Sequence, residues 1–339
     1  MWYNLSMSRH TITSILATFI LFPVFLLGCG SSAKHLSEAR DLADRAATAQ
    51  AASLKATQQN QPQAAQEQYA ESRELYGQAI VAYQQARADV SSNAERVLEF
   101  AEVAEAAGER DLAALAYHHL TELEPDEWKW KLNAGRSYRL AGDAFQDNAL
   151  RFLQACTTGE GAPDDIRADA YVELGKIYWG LGLFENAGGF FSSAQALNPD
   201  HTPARIGTAA VAIRDGDMAA GSTILDGLVQ VSQEDTALMN FLLADALRRF
   251  DDSRGIFPDT AEQHYAYARL LVRVGKYYET MLALERSVAL NGDNYPAYNL
   301  LGGVLSQIGE QDRARKAYET SLEMNPDQPR TREILGQLQ

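Results

Sequence analysis

Two cysteines in a chain of 339 residues are too few for a disulfide framework, and Cys29 and Cys156 stand too far apart to act as clustered zinc ligands. Basic charge is scarce as well. Lys and Arg number 30 against 45 Asp and Glu, a formal net charge of -15. Non-specific nucleic-acid binding needs clustered cations to displace counterions, so that class is excluded. Histidine is rare, at six residues. The adjacent pair His118-His119 would point about 100° apart on a helix and cannot grip one metal together. One is expected to be packed and the other solvated. No HExxH pattern, nucleophile elbow or dinucleotide fingerprint occurs. Gly175-Lys176 and Gly275-Lys276 lack the earlier glycine of a phosphate loop. The paired acids Asp164-Asp165 and Asp251-Asp252 read as solvated or helix-capping, and Cys156 as a small buried hydrophobe. No catalytic residue, cofactor or metal is assigned, and the chain is expected not to be an enzyme.

Long apolar runs are absent except for one. Arg9 and His10 precede an apolar stretch from Ile12 to Gly28, which ends Leu26-Leu27-Gly28-Cys29. A short basic segment, an apolar stretch and small residues before a cut form a secretory leader. The ending resembles the lipobox of bacterial lipoproteins. That resemblance implies a removed leader at 1–28 and acyl chains on Cys29. Gly30, in place of the aspartate that retains such proteins at the inner membrane, implies the outer membrane facing the periplasm. Two other readings stay open: an uncleaved span, short and broken by Pro23, and ordinary cleavage that leaves a lone thiol.

What is abundant is alanine, within a hydrophobic fraction of 46%, and it recurs with a period. Tyr171, Leu174, Gly175 and Tyr178 are followed by Gly182, Ala187, Phe191, Ala194 and Pro199. The first group lies on one face of a helix, at i, i+3, i+4 and i+7. Small residues at positions 8 and 20 of this unit let two helices approach, and a ring at 24 fills the space between units. Proline at 32 stops the second helix. Leu301-Gly302, Gly309, Ala314, Tyr318, Ser321 and Pro326 repeat the pattern. Weaker copies follow Ala101, Gly135, Ala209 and Gly275. This 34-residue unit resembles the tetratricopeptide repeat, which implies an all-α fold, a right-handed α-solenoid of stacked helical hairpins.

The expected organisation has five parts. Residues 1–28 are the leader, and 29–93 an Ala/Gln-rich helical hairpin or stalk, with helices near 34–58 and 63–89. Residues 94–235 hold four repeats. Residues 236–260 form an unpaired helix and loop, since Gly216 and Gly275 are 59 residues apart and not a multiple of 34. Residues 261–339 hold two repeats and a C-terminal helix, expected to pack on that unpaired helix.

Positions 2, 5, 9 and 12 of each first helix lie roughly opposite the packing positions and are expected to form a concave wall. This places Lys129, Leu132, Asn133, Arg136, Arg139, Lys176 and Trp179 on a basic, partly apolar strip. Arginine forks grip carboxylates and Trp supplies contact area, so the strip suits an acidic or C-terminal segment of a partner protein. An ordinary solvated face, or one covered by the N-terminal helices, are the alternatives. The carboxylate clamp known in the family is not reproduced, because Leu132 and Val172 occupy position 5. By resemblance to the tetratricopeptide lipoproteins of envelope machines, pilotins and the tight-adherence pilus assembly lipoprotein among them, the chain is expected to be a lipid-anchored scaffold. Its partners would be pilus, secretin or other envelope components. An adaptor for cell-wall hydrolases or for outer-membrane protein assembly is the second reading, and an enzyme with a hidden site the third.

Overall fold

The computed structural model describes residues 29–228, 231–252 and 259–338. The leader and the side chain of Cys29 lie outside the described residues, as do the middle of the loop before residue 259 and the proposed cut itself. The described residues form helices and turns with no strand. They fall into two compact units, divided between Glu109 and Arg110.

The first unit contains α1 (Cys29–Gln58), α2 (Pro62–Gln85) and α3 (Ala94–Ala107). Asn60, at φ 56°, turns the chain between α1 and α2, and Pro62 opens α2 where a missing N–H costs nothing. Small residues of α1 (Ala39, Ala46, Ala49 and Ala56) are buried in this unit with Leu75, Tyr76, Ala79, Ile80 and Tyr83 of α2. Tyr69, which shares that sequence face, is exposed. Alanine on one side lets the long helices run close, and the rings of the other fill the interface. Arg40 of α1 grips Glu99 of α3 through two hydrogen bonds, at 3.0 and 2.6 Å.

The second unit begins with α4 (Arg110–Leu123), which packs on α5 (Trp128–Ala141). A 3-10 turn, Asp143–Phe145, leads into α6 (Gln146–Thr158). Next come α7 (Asp164–Gly180) with α8 (Phe184–Leu197), and α9 (Thr202–Arg214) with α10 (Met218–Asp226). Each pair packs as a hairpin, and each second helix packs on the following first helix, α6 on α7 and α8 on α9. First helices also touch each other directly, α5 on α7 and α7 on α9. Asp164 and Asp165 open α7, where the positive end of the helix dipole favours acids. Gly182 joins α7 to α8 at φ 75°, a conformation that side chains with a Cβ rarely adopt.

The periodic residues do what their spacing implies. The ring of Phe191 is fully buried between Gly175 of its own hairpin and Gly207 of the next. A methyl group added at either glycine would stand 2.5 or 2.3 Å from the ring. Tyr318 fills the same place against Gly302, and Leu153 against Gly135.

The 59-residue interval is filled by α11 (Gln233–Asp252). This helix is not unpaired in space: it packs along α9 and buries Leu238, Met239, Leu242, Leu243, Ala246 and Leu247. Phe241 is half exposed, because the buried residues come in adjacent pairs every four positions and Phe241 falls outside that face. The last hairpins are α12 (Ala261–Arg273) with α13 (Tyr277–Leu290), and α14 (Tyr295–Gln307) with α15 (Gln311–Met324), followed by α16 (Pro329–Gln337). Their first helix packs on α10, where the sequence suggested α11. Gln263, near the start of α12, donates to the carbonyl of Gly216 before α10, and Arg273 at its end pairs with Asp226 at the end of α10. The two helices therefore run parallel. One extra pass of chain reverses the direction in which the last hairpins are laid down. Within those hairpins the period is restored: the Ser287 hydroxyl donates to the Ala261 carbonyl and the Ser321 hydroxyl to the Tyr295 carbonyl, each 26 residues back.

Candidate functional site

The basic strip on α5 and α7 closes on an acid that sequence reasoning did not single out. Glu173 of α7 is buried, with 1% of its surface exposed. Arg139 Nε lies 2.5 Å from its Oε2, Lys176 Nζ 2.8 Å from its Oε1, and Arg136 Nε 3.4 Å from the same Oε1. Burial by itself raises a carboxyl pKa. Here the attraction of Lys176, Arg139 and Arg136 outweighs burial and brings Glu173 down to about 2. The carboxylate is charged across the physiological range.

Asp169, one turn earlier on α7, extends the network. Arg136 approaches it at 3.8 Å, and His201 Nε2 lies 3.1 Å from its Oδ1. His201 also caps α9, its Nδ1 accepting from the backbone N–H of Ala204 at 3.3 Å. An amide can only donate, so Nδ1 carries no proton and Nε2 is the donor to Asp169. The histidine therefore ties the third first helix, α9, to the same charges.

The expected wall residues separate into two groups. Lys129 is exposed and sits over the Trp130 ring at 4.3 Å, while Asn133, Arg136, Arg139 and Lys176 are partly exposed. Leu132 and Trp179, expected on the wall, are buried at 4% and 3% exposure. The correction has a physical cause. Successive first helices lie against one another, so apolar residues at positions 5 and 12 form the lap joint between repeats. Val172, Ile206 and Ile213 are buried for the same reason. Trp179 meets Phe184 edge to face at 5.0 Å, and its ring N–H finds no acceptor among the described residues. Beside the cluster, Arg139, Lys176, Gln146 and Leu181 border a cleft of about 400 Å³.

Glu173 did leave a trace in the sequence. Glu173 and Lys176 are three apart on one helix, as are Arg136 and Arg139, which is the spacing of ion-pair partners on a shared face. What spacing does not reveal is that one acid lies opposite both arginines across a helix junction.

The histidine pair behaves as two independent side chains. His118 Nδ1 lies 3.0 Å from the Tyr138 hydroxyl, and its ring stands edge-on to Phe152. Burial, with Arg151 nearby, lowers its pKa. His119 is partly buried rather than fully solvated, and lies 3.3 Å from Glu122. Among the described residues no group of three or more His, Cys, Asp or Glu is placed to hold a metal ion. No described helix is long and apolar enough to cross a membrane.

Two segments, residues 168–201 and 295–328, match the family model of the tetratricopeptide repeat. The matches fall on two hairpins, α7 with α8 and α14 with α15. Similar solved structures include the MamA protein, at 19% identity and a TM-score of 0.26, covering 50% of this chain and 80% of that one. A tetratricopeptide repeat protein from Parabacteroides merdae has 17% identity and a TM-score of 0.35, covering 72% and 98%. The APC/C hetero-tetramer Cut9-Hcn1 has 12% identity and a TM-score of 0.37, covering 92% of this chain and 57% of that one. At such scores nothing about partners passes to this chain. No curated protein matches it in sequence.

Proposed function

We propose that this chain, built on tetratricopeptide repeats, is a protein-binding scaffold without catalytic activity, tethered to the outer membrane through an acylated Cys29 and facing the periplasm, where it assists assembly of a pilus or secretion machine. The observation that carries the reading is the stack of hairpins in the second unit. Repeats stacked in chain order leave a row of first helices whose outward positions are free of core packing. On α5 and α7 those positions hold Lys129, Asn133, Arg136, Arg139 and Lys176. The leader ending Leu26-Leu27-Gly28-Cys29 supports the tether, since a multiply acylated residue holds a protein on a bilayer where one chain would not.

The test has two arms. Cys29→Ser should move the protein from the membrane to the soluble periplasmic fraction and abolish incorporation of labelled palmitate. In-cell crosslinking from a photoreactive residue at Lys129 or Asn133 should then recover a pilus or secretin component. Unchanged fractionation of the Cys29→Ser chain would sink the tether. Recovery of a cell-wall hydrolase or of the outer-membrane insertion machinery would replace pilus assembly with the adaptor reading.

A further inference from the structure

At the joint between α4 and the α5–α6 hairpin, a histidine takes a place that solvent-facing residues take elsewhere. His118 directly follows Tyr117, the ring that fills its repeat. The same place after Leu153, Phe191 and Tyr318 holds Gln154, Ser192 and Glu319, all exposed. His118 is partly buried against two other helices. Its Nδ1 lies 3.0 Å from the hydroxyl of Tyr138 on α5, and its ring stands edge-on to Phe152 of α6, with centroids 4.8 Å apart. Tyr138 in turn stacks on Phe152 and leans on Phe145 of the 3-10 turn.

Two features make this contact sensitive to the charge of the ring. The first is the hydroxyl. Tyr138 is buried, and His118 Nδ1 is the one hydrogen-bond partner of its hydroxyl among the described residues. The phenol proton is satisfied when Nδ1 accepts it, which a neutral imidazole can do and an imidazolium cannot. Protonation would leave that proton among aromatic rings, and an unsatisfied buried donor is costly. The second feature is the surrounding charge. Arg151 of α6 lies over the Phe152 ring at 4.8 Å and repels a cation at His118. From α4 itself Glu122 attracts one and His119 repels it, and from α5 the group that faces the ring is the Tyr138 hydroxyl. Burial first, and Arg151 after it, hold His118 below its ordinary 6.5. A histidine held below its unfolded value contributes stability that is complete above 6.5 and is lost as pH falls through that value, where the open form binds the proton first. Glu173, charged down to about 2, does not respond in the same range.

We propose that this joint is an acid-sensitive hinge: protonation of His118 breaks its hydrogen bond with Tyr138, sets a second cation near Arg151, and loosens α4 from α5 and α6. Histidine is the side chain that changes charge between about pH 5 and 8, so mild acid suffices. The outward side of α5 carries Lys129, Asn133, Arg136 and Arg139, and loosening that helix alters how the basic strip is held. The hinge needs neither the tether nor a partner, and it stands or falls apart from the scaffold reading.

The experiment is hydrogen exchange followed by mass spectrometry on the full chain in detergent, between about pH 7.5 and 5, with rates corrected for the intrinsic pH dependence of amide exchange. Protection of peptides from α4 and α6 should fall severalfold on acidification, while peptides from α13 and α15 keep theirs, since local opening is read segment by segment. His118→Gln supplies a carbonyl that can accept from Tyr138 and does not protonate in this range, so its α4 and α6 should show no such fall. Arg151→Gln removes the repelling cation and should show a smaller fall than the parent. Unchanged protection in the parent, an equal fall in His118→Gln, or a fall shared by every helix overturns the proposal. Should His118→Gln lose helicity at neutral pH, Arg151→Gln decides: a fall as large as that of the parent overturns it.

Discussion

Arg139 and Glu173, on first helices of successive repeats, meet at 2.5 Å where only 1% of the Glu173 surface reaches solvent. Replacing two such partners together with apolar groups is often tolerated, whereas removing one leaves the others buried and uncompensated. Glu173→Gln should therefore cost about 3 kcal/mol or more, near a 10 °C fall in melting temperature for a unit of this size. Thermal unfolding followed at 222 nm measures it, and a fall of a degree or less would show that the cluster contributes little.

The same carboxylate sets a pH dependence. Its pKa is about 2 in the folded chain against an ordinary 4.5. A depressed carboxyl contributes stability that is complete above the unfolded value and lost as pH falls from about 4.5 toward 2, where the unfolded chain binds the proton first. The gap in urea midpoint between the parent and Glu173→Gln should be widest at neutral pH and narrow across that window. A gap independent of pH would place the effect in packing rather than charge.

Phe191 wedges between Gly175 and Gly207, and the added methyl of Gly207→Ala would stand 2.3 Å from its ring. The ring is fully buried, so the methyl fits only if the ring or a helix shifts, and the variant should lose about 1–3 kcal/mol. Phe191→Ala should lose about 3–5 kcal/mol through the cavity it opens. Phe191→Leu in the Gly207→Ala background should recover part of the loss. If the two losses simply add in denaturant titrations, the ring is not what the methyl meets.

Cys156 is fully buried, and burial raises its thiol to about 11. The thiolate is the reactive form, so at pH 8 the folded chain should show no reaction of Cys156 with a disulfide reagent and full reaction once denatured. Purified from membranes, the protein should yield one titratable thiol on denaturation if Cys29 is acylated as proposed. Two would count against acylation.

Helix faces and turns were legible from periodicity, because a helix determines which of its own residues look the same way. Gly175 and Phe191 occupy the places their spacing implied, whereas Gly207 was assigned no role until the next hairpin set it against the ring. Leu132 and Trp179 were misplaced because their own helix leaves them outward, and it is packing by neighbouring helices that buries them. Glu173 was overlooked for a related reason: two of its three partners, Arg136 and Arg139, lie on another helix.

By itself the sequence determined an all-helical chain, the 34-residue unit, the places where small residues admit a ring, and the acidic balance that sets nucleic acid aside. These are local or additive properties. The tertiary structure decided that α11 lies along α9, that the last hairpins run reversed, and that the cations of α5 and α7 are neutralised by Glu173. Each of those depends on which helix faces which, and lateral packing between segments distant in the chain leaves no periodic signal to read.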